Sequence, residues 1–175
     1  MIPRIKRILY ATDLSKNSAY AFRYAVNSAQ KHDAEIVILH VWEKLPLSMD
    51  AVIEMQIGEA EFESFKKKWE GQKTTQIERI RKRLIEFVKR EPEYDPQKKD
   101  PVSDIVVIEG VPEAEILKKI DELKCDILIM GTNSHGSLNH AFLGSVAERV
   151  LRRIRKPVYL IPIPTEDTDV TFRNI

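Results

Sequence analysis

Five short apolar runs, each separated from the next by a charged or amphipathic stretch, constrain this chain more than any other feature. They fall at residues 5–11, 35–42, 103–109, 126–130 and 157–162. The second, Ile36-Val37-Ile38-Leu39-His40-Val41-Trp42, is almost unbroken, as expected for a parallel strand covered on both faces. Between the runs, apolar positions recur every three or four residues: Ala21, Tyr24, Ala25 and Ser28 or Ala29 within 17–32, and Val146, Val150, Leu151 and Ile154 within 144–154. Pro112, just past Gly110-Val111, stands where a helix accepts proline at its first position. Strands alternating with helices predict right-handed crossovers and a mostly parallel sheet with helices on both faces. The predicted class is α/β, doubly wound.

The longest helical pattern covers 49–90. Phe62, Phe65 and Trp69, then Ile77, Ile80, Leu84, Phe87 and Val88, recur between dense charges and predict a long amphipathic helix. Gly71 marks a point where it is expected to bend or divide, because glycine weakens a helix interior by about 1 kcal/mol. Pro92, Pro96 and Pro101 end it in an irregular excursion. A chain of 175 residues is one domain by length. Residues 45–101 therefore read as a helical insertion within a domain spanning 1–164, and 165–175 as a polar tail, either loose or crossing to a partner subunit.

Twenty-eight basic and 27 acidic side chains leave a formal charge of +1, so no global field recruits nucleic acid or an anionic membrane, and any anion site must be local. The basic run Arg149, Arg152, Arg153, Arg155 and Lys156 reads as a solvated helix face favoured by the helix dipole. Neither nucleic acid nor membrane is an expected partner. No run approaches the roughly 20 apolar residues that span a bilayer. No secretion signal is readable, since the first apolar segment ends at Asp13. The single Cys125 excludes an intramolecular disulfide and reads as a small core hydrophobe in a reducing compartment, so the expected location is the cytoplasm.

In an open α/β sheet, ligands bind beyond the carboxyl ends of strands where the winding reverses, so the loops after strands are the places to search. The first, Ala11-Thr12-Asp13-Leu14-Ser15, has no glycine and is no GxGxxG turn, and GxxxxGK[ST] occurs nowhere in the chain. The loop after the fourth run holds Gly131, Gly136 and Gly144, three of the six glycines. Gly131 permits close backbone approach, and Gly144-Ser145 before a helix exposes unpaired N–H groups and a positive dipole end, a phosphate seat. Each residue has a plainer reading. Asp13 makes an Asx turn or a cap, Ser145 is a helix cap, Gly131 and Gly144 are turn glycines, and Ala11, Val41 and Val146 are core. His135 and His140 lack a Cys or carboxylate in their loop to complete a tetrahedral metal set. His40 reads as a satisfied core histidine. Ser145 has no His and carboxylate partners at a motif spacing, and no residue is assignable to activating water, so binding is favoured over turnover.

Together these segments resemble the universal stress protein family over nearly the whole chain. The resemblance runs from Ala11-Thr12-Asp13 through Leu39-His40-Val41 and Gly110-Val111-Pro112 to Pro157-Val158. It is strongest at Ile129-Met130-Gly131-Thr132 and Leu143-Gly144-Ser145-Val146-Ala147-Glu148-Arg149-Val150. ATP-binding members of that family carry glycine, two residues, glycine, nine residues, then glycine and serine or threonine. Gly131, Ser134 and Gly144-Ser145 reproduce the spacing, with Ser134 in place of the second glycine. A left-handed serine costs about 1 kcal/mol and crowds a phosphate, but its hydroxyl can donate to one, and Gly136 lies two residues on.

The resemblance implies a five-stranded sheet of order 3-2-1-4-5, adenine nucleotide alpha hydrolase-like and Rossmann-like. It implies ATP, or AMP or ADP, with adenine near the backbone of Ala11 and Val41, and with Thr12, Met130 and Thr132 at the site. Asp13 is then near the ribose, the phosphates or a nucleotide-bound Mg, and the ribose and phosphates lie against Gly131, Ser134, Gly144, Ser145 and Val146. The implied role is regulatory or adaptor, in stress response. It implies a homodimer through the edge strand 158–161; the helix 49–90 is either a surface for a further, unknown protein partner or a plain sheet cover. Two other functions stay open: a dimeric interaction scaffold of the same fold whose site Ser134 has closed, and a slow ATPase or nucleotide-transferring enzyme.

Overall fold

The computed structural model describes residues 2–43, 59–90, 100–132 and 143–162. In chain order these form β1 (Arg7–Ala11), α1 (Lys16–His32), β2 (Glu35–Glu43), α2 (Glu59–Arg90), β3 (Val102–Gly110), α3 (Pro112–Glu122), β4 (Ile127–Gly131), α4 (Ser145–Leu151) and β5 (Val158–Ile161). The strands make one sheet in the order β3-β2-β1-β4-β5, every pairing parallel. This is the predicted doubly wound architecture in the predicted order.

The unbroken apolar runs follow from two cores sharing one sheet. Side chains alternate across a strand. Ile8, Tyr10, Ile36, Ile38, Ile127 and Ile129 enter the core beneath α1 and α2, while Leu9, Ala11, Val37, Leu39, Leu128 and Met130 enter the core beneath α3 and α4. On the first face, Ala21, Ala25 and Ala29 keep α1 close to the strands, and Phe22 stacks between Tyr10 and Phe87 with ring centroids 5.3 and 5.1 Å apart. On the second, Ile116, Ile120, Ala147 and Val150 pack with Cys125, which is fully buried. Burial pushes its thiol pKa up to about 11, so it behaves as the expected core hydrophobe.

Two predicted boundaries need correction. Gly71 does not divide the long helix: α2 is continuous over 32 residues. Gly71 is exposed and a Cβ there would meet nothing within 4 Å, so only its intrinsic helix penalty acts. Against that, Ile77, Ile80, Leu84, Phe87 and Val88 seat the carboxyl-terminal half on the core. Lys73 pairs with Glu109, and Arg81 Nη2 donates to Ile105 O at 2.8 Å. The other correction is α4, which stops at Leu151 rather than 154, where Arg153 N takes Val150 O three residues back at 3.0 Å and the regular four-residue ladder ends. The helix start expected at residue 49, the side chains of Phe62, Phe65 and Trp69, the turn at Pro92 and Pro96, and the tail lie outside the described residues. Among the described residues no helix is long and apolar enough to cross a membrane.

Candidate functional site

Strand order places the winding reversal between β1 and β4: from β1 the chain moves out through β2 to β3, then returns across the sheet to β4. The carboxyl ends of these two strands open into a crevice of about 380 Å³. That lies within the usual range for small-molecule pockets, about 300–1,000 Å³. No side chain of the described residues fills the space.

The first wall is the loop from β1 to α1. Thr12 N donates to Leu39 O at 2.9 Å, and Thr12 Oγ1 accepts from Leu14 N at 3.0 Å. Asp13 Oδ1 accepts from Ser15 N at 3.0 Å, an Asx turn, and also from the Ser18 hydroxyl. Ser15 in turn caps α1 by accepting from Ser18 N. The turn reading of Asp13 is therefore correct, yet the residue stays exposed at the crevice. Leu14 is left-handed at φ 66, which costs a non-glycine residue about 1–2 kcal/mol. Its half-buried side chain packs on the first core, and the hydrogen bonds on either side hold the turn.

The opposite wall is the end of β4 and the start of α4. Gly144 N donates to Thr132 O at 2.8 Å and Thr132 N to Ile161 O at 3.0 Å, pinning together the two ends of the intervening loop. Gly144 is the helix N-cap at φ −61 and ψ 148, without a side-chain cap. Ser145 is the first helical residue, so its cap reading is wrong. The first turn of a helix leaves its N–H groups without helical acceptors. Those of Ser145, Val146 and Ala147 are such groups, on residues that line the crevice. With only seven residues, α4 contributes these donors rather than a strong macrodipole. Gly131 does not adopt a positive φ, and a Cβ built there would meet nothing nearer than Asn17 O at 3.8 Å. Neither turn geometry nor packing requires glycine there.

Of the predicted site residues, Ala11, Thr12, Asp13, Val41 and Met130 line this crevice, as do Gly131, Thr132, Gly144, Ser145 and Val146. Ser134 lies outside the described residues, as do His135 and His140. Sequence reasoning missed Ser18, Trp42, Glu43 and Pro112 as wall residues. The rule that loops after strands carry the site covers Pro112, which follows β3 on the same edge. His40 was expected only as core. It is buried, with Nδ1 2.8 Å from Thr12 O, and it also lines the crevice, so it ties β2 to the first wall.

Burial holds His40 below the usual histidine range, outweighing the Thr12 carbonyl and Asp13, which favour the charged ring; Arg83 opposes it. The unfolded chain then binds the proton more tightly than the folded one, so stability should fall as pH drops through about 6.5 toward the depressed folded value. Thermal melts from pH 7.5 to 5 should show this fall in the parent and a shallower one in His40→Asn, whose amide keeps the bond to Thr12 O. Equal slopes would remove His40 from the account.

The described lining contains Asp13 and Glu43 but no lysine or arginine. An anion entering this part of the crevice would be met by backbone N–H groups or by a cation it brings with it. Among the described residues no three His, Cys, Asp or Glu stand together as a metal cage.

A doubly wound sheet defines the class as an α/β domain, and its open crevice stands at the switch point, where sheets of this kind hold their ligands. The sequence profile of the Universal stress protein family matches residues 4–162, and the chain belongs to that family. Universal stress protein MJ0577 of Methanocaldococcus jannaschii is 29% identical over 89% of this chain and 94% of its own. Its solved structure superposes with a TM-score of 0.61 and 25% identity, covering 94% of this chain and 100% of that one. Universal stress protein MJ0531 of the same organism is 31% identical over 93% of this chain and 85% of its own. A universal stress protein solved in complex with cAMP shares the fold at a TM-score of 0.54 and 18% identity, covering 91% of this chain and 98% of that one.

Proposed function

We propose that this protein binds an adenine nucleotide in the crevice between β1 and β4, and that occupancy biases a dimer or partner surface, making it a cytoplasmic regulator or adaptor in stress response. One observation carries the reading: the glycine and first-turn N–H groups expected from the sequence line a single open crevice. A glycine that neither packing nor dihedral demands leaves room for close approach. A protein of this fold solved with cAMP supports the ligand class.

In this reading the backbone at Ala11 and Val41 meets the adenine. Thr12, Met130 and Thr132 shape the floor. Gly131, Ser134, Gly144, Ser145 and Val146 meet the ribose and phosphates, the last two through N–H donors. Because Asp13 and Glu43 repel a bare polyphosphate, ATP enters as its Mg complex, with Asp13 facing the nucleotide-borne ion. No residue is assigned to activate a water, so hydrolysis is not part of the proposal. The dimer forms through β5, whose outer edge is unpaired among the described strands and carries Tyr159, 42% exposed.

Mass spectrometry of small molecules released by acid from the purified protein should find an adenine nucleotide. Washing with EDTA beforehand should deplete ATP at least about tenfold, a change of roughly 1.4 kcal/mol, and AMP far less. Folded protein that yields none and takes none up would favour the nucleotide-free scaffold.

A further inference from the structure

The amino-terminal edge of the sheet, opposite the crevice, holds positive charge that the described residues leave unmatched. There β1, β4 and β5 enter side by side: Asp126 N donates to Arg7 O at 2.8 Å and Leu128 N to Pro157 O at 3.0 Å. At roughly 4.8 Å between strands, the leads of β1 and β5 stand about 10 Å apart. Lys6 and Arg7 face Asp33 and Glu35 at 3.9 and 3.1 Å. The carboxylate beside the β5 lead in the β4–β5 register, Asp126, accepts from the N–H groups of Lys6 and Arg7 at 2.7 and 2.9 Å, and Glu148, five residues before Arg153, is taken by Arg152. On the β5 side, Arg153 and Arg155 are exposed and Lys156 half-buried, and none has an ion-pair partner among the described residues. The end of α4 does not account for Arg155 and Lys156. A helix dipole fades within its last turn, and α4 stops at Leu151.

The complementary charge lies in the same chain. Residues 163–175 contain Glu166, Asp167 and Asp169 against one basic residue, Arg173. Within one subunit this segment starts at the wrong end, because β5 delivers it to the crevice edge. Returning from Ile161 to Lys156 takes about 17 Å: Glu166 spans it only with the chain fully extended, and Asp167 and Asp169 reach it only once the chain has reversed direction after β5. Two copies joined by a two-fold axis pair identical edge strands antiparallel. The end of one β5 then lies beside the start of the other, so a segment leaving one β5 begins next to the partner's lead, which carries Arg153, Arg155 and Lys156.

We propose that Arg153, Arg155 and Lys156 form a docking surface for the acidic segment 166–169 of a second copy, two reciprocal clasps that flank the paired β5 strands. The proposal rests on the dimer reading above, and the test separates the two. Sedimentation of the full chain first establishes whether it dimerises. Dissociation constants are then compared for the parent, for Glu166→Gln/Asp167→Asn/Asp169→Asn and for Arg153→Gln/Arg155→Gln/Lys156→Gln. Each variant should weaken the dimer about 30-fold at low salt, as several exposed pairs acting together allow. The combination should weaken it little further, and the difference should shrink at about 0.5 M salt. Mixing an Arg155→Cys chain with an Asp167→Cys chain should yield a disulfide between them, with Cys125 buried and out of reach. A dimer insensitive to both charge sets, or a disulfide that forms only within one chain carrying both cysteines, overturns the clasp and leaves the dimer. A monomer overturns both.

Discussion

A Gly144→Val chain is expected to lose adenine-nucleotide affinity by at least about a hundredfold, equivalent to ~2.7 kcal/mol, while remaining folded. The backbone at Gly144, φ −61 and ψ 148, is extended and open to valine without dihedral strain. The position supplies no side-chain cap, so the substitution removes none; valine is a poor N-cap and costs about 1 kcal/mol. The isopropyl group stands beside the first-turn donors of α4, at the wall where phosphates are proposed to sit. A thermal melt gives the folding control, and nucleotide titration gives the effect. Unchanged affinity would remove this wall from the site.

Phe22→Ala should act in the opposite way, on the fold and through it on everything else. Phe22 is fully buried between Tyr10 and Phe87, at the meeting of β1, α1 and α2. Removing a buried phenyl ring costs about 3–5 kcal/mol, a large part of the 5–15 kcal/mol that holds a typical domain. Because Tyr10 OH also donates to Ser18 O, and Ser18 holds Asp13, the damage reaches the first wall of the crevice. Urea unfolding should show the midpoint falling by at least about a fifth with the slope unchanged. A loss below 1 kcal/mol would mean that the aromatic stack repacks.

The architecture was legible because both signals it depends on are periodic. Strands buried on two faces must be apolar at every position, and Ile36–Leu39 and Ile127–Met130 are; α1 must be smooth on one side, and Ala21, Ala25 and Ala29 make it so. Strand order did not follow from periodicity and entered with the family resemblance. Gly71 does not divide the helix, because propensity is a weak prior once half of it is anchored by Leu84 and Phe87.

At the site, glycines and helix starts could be read because they are local features. The roles of His40 and Ser18 could not, since each depends on a through-space bond, to Thr12 O or to the Asp13 carboxylate. The left-handed Leu14 has no sequence signature, because leucine is not a residue that favours φ above zero. Nor does the pattern distinguish Gly144 from Ser145 as the cap; the extended backbone of Gly144 and the bond from Glu148 N to Gly144 O decide it.

Calorimetric titration of Mg-ATP into protein stripped of small molecules tests nucleotide binding at the crevice most directly. The result expected is saturable heat with one nucleotide per chain, matched in kind by ADP and AMP and absent in Gly144→Val. Folded, stripped protein giving no heat with any adenine nucleotide would contradict it.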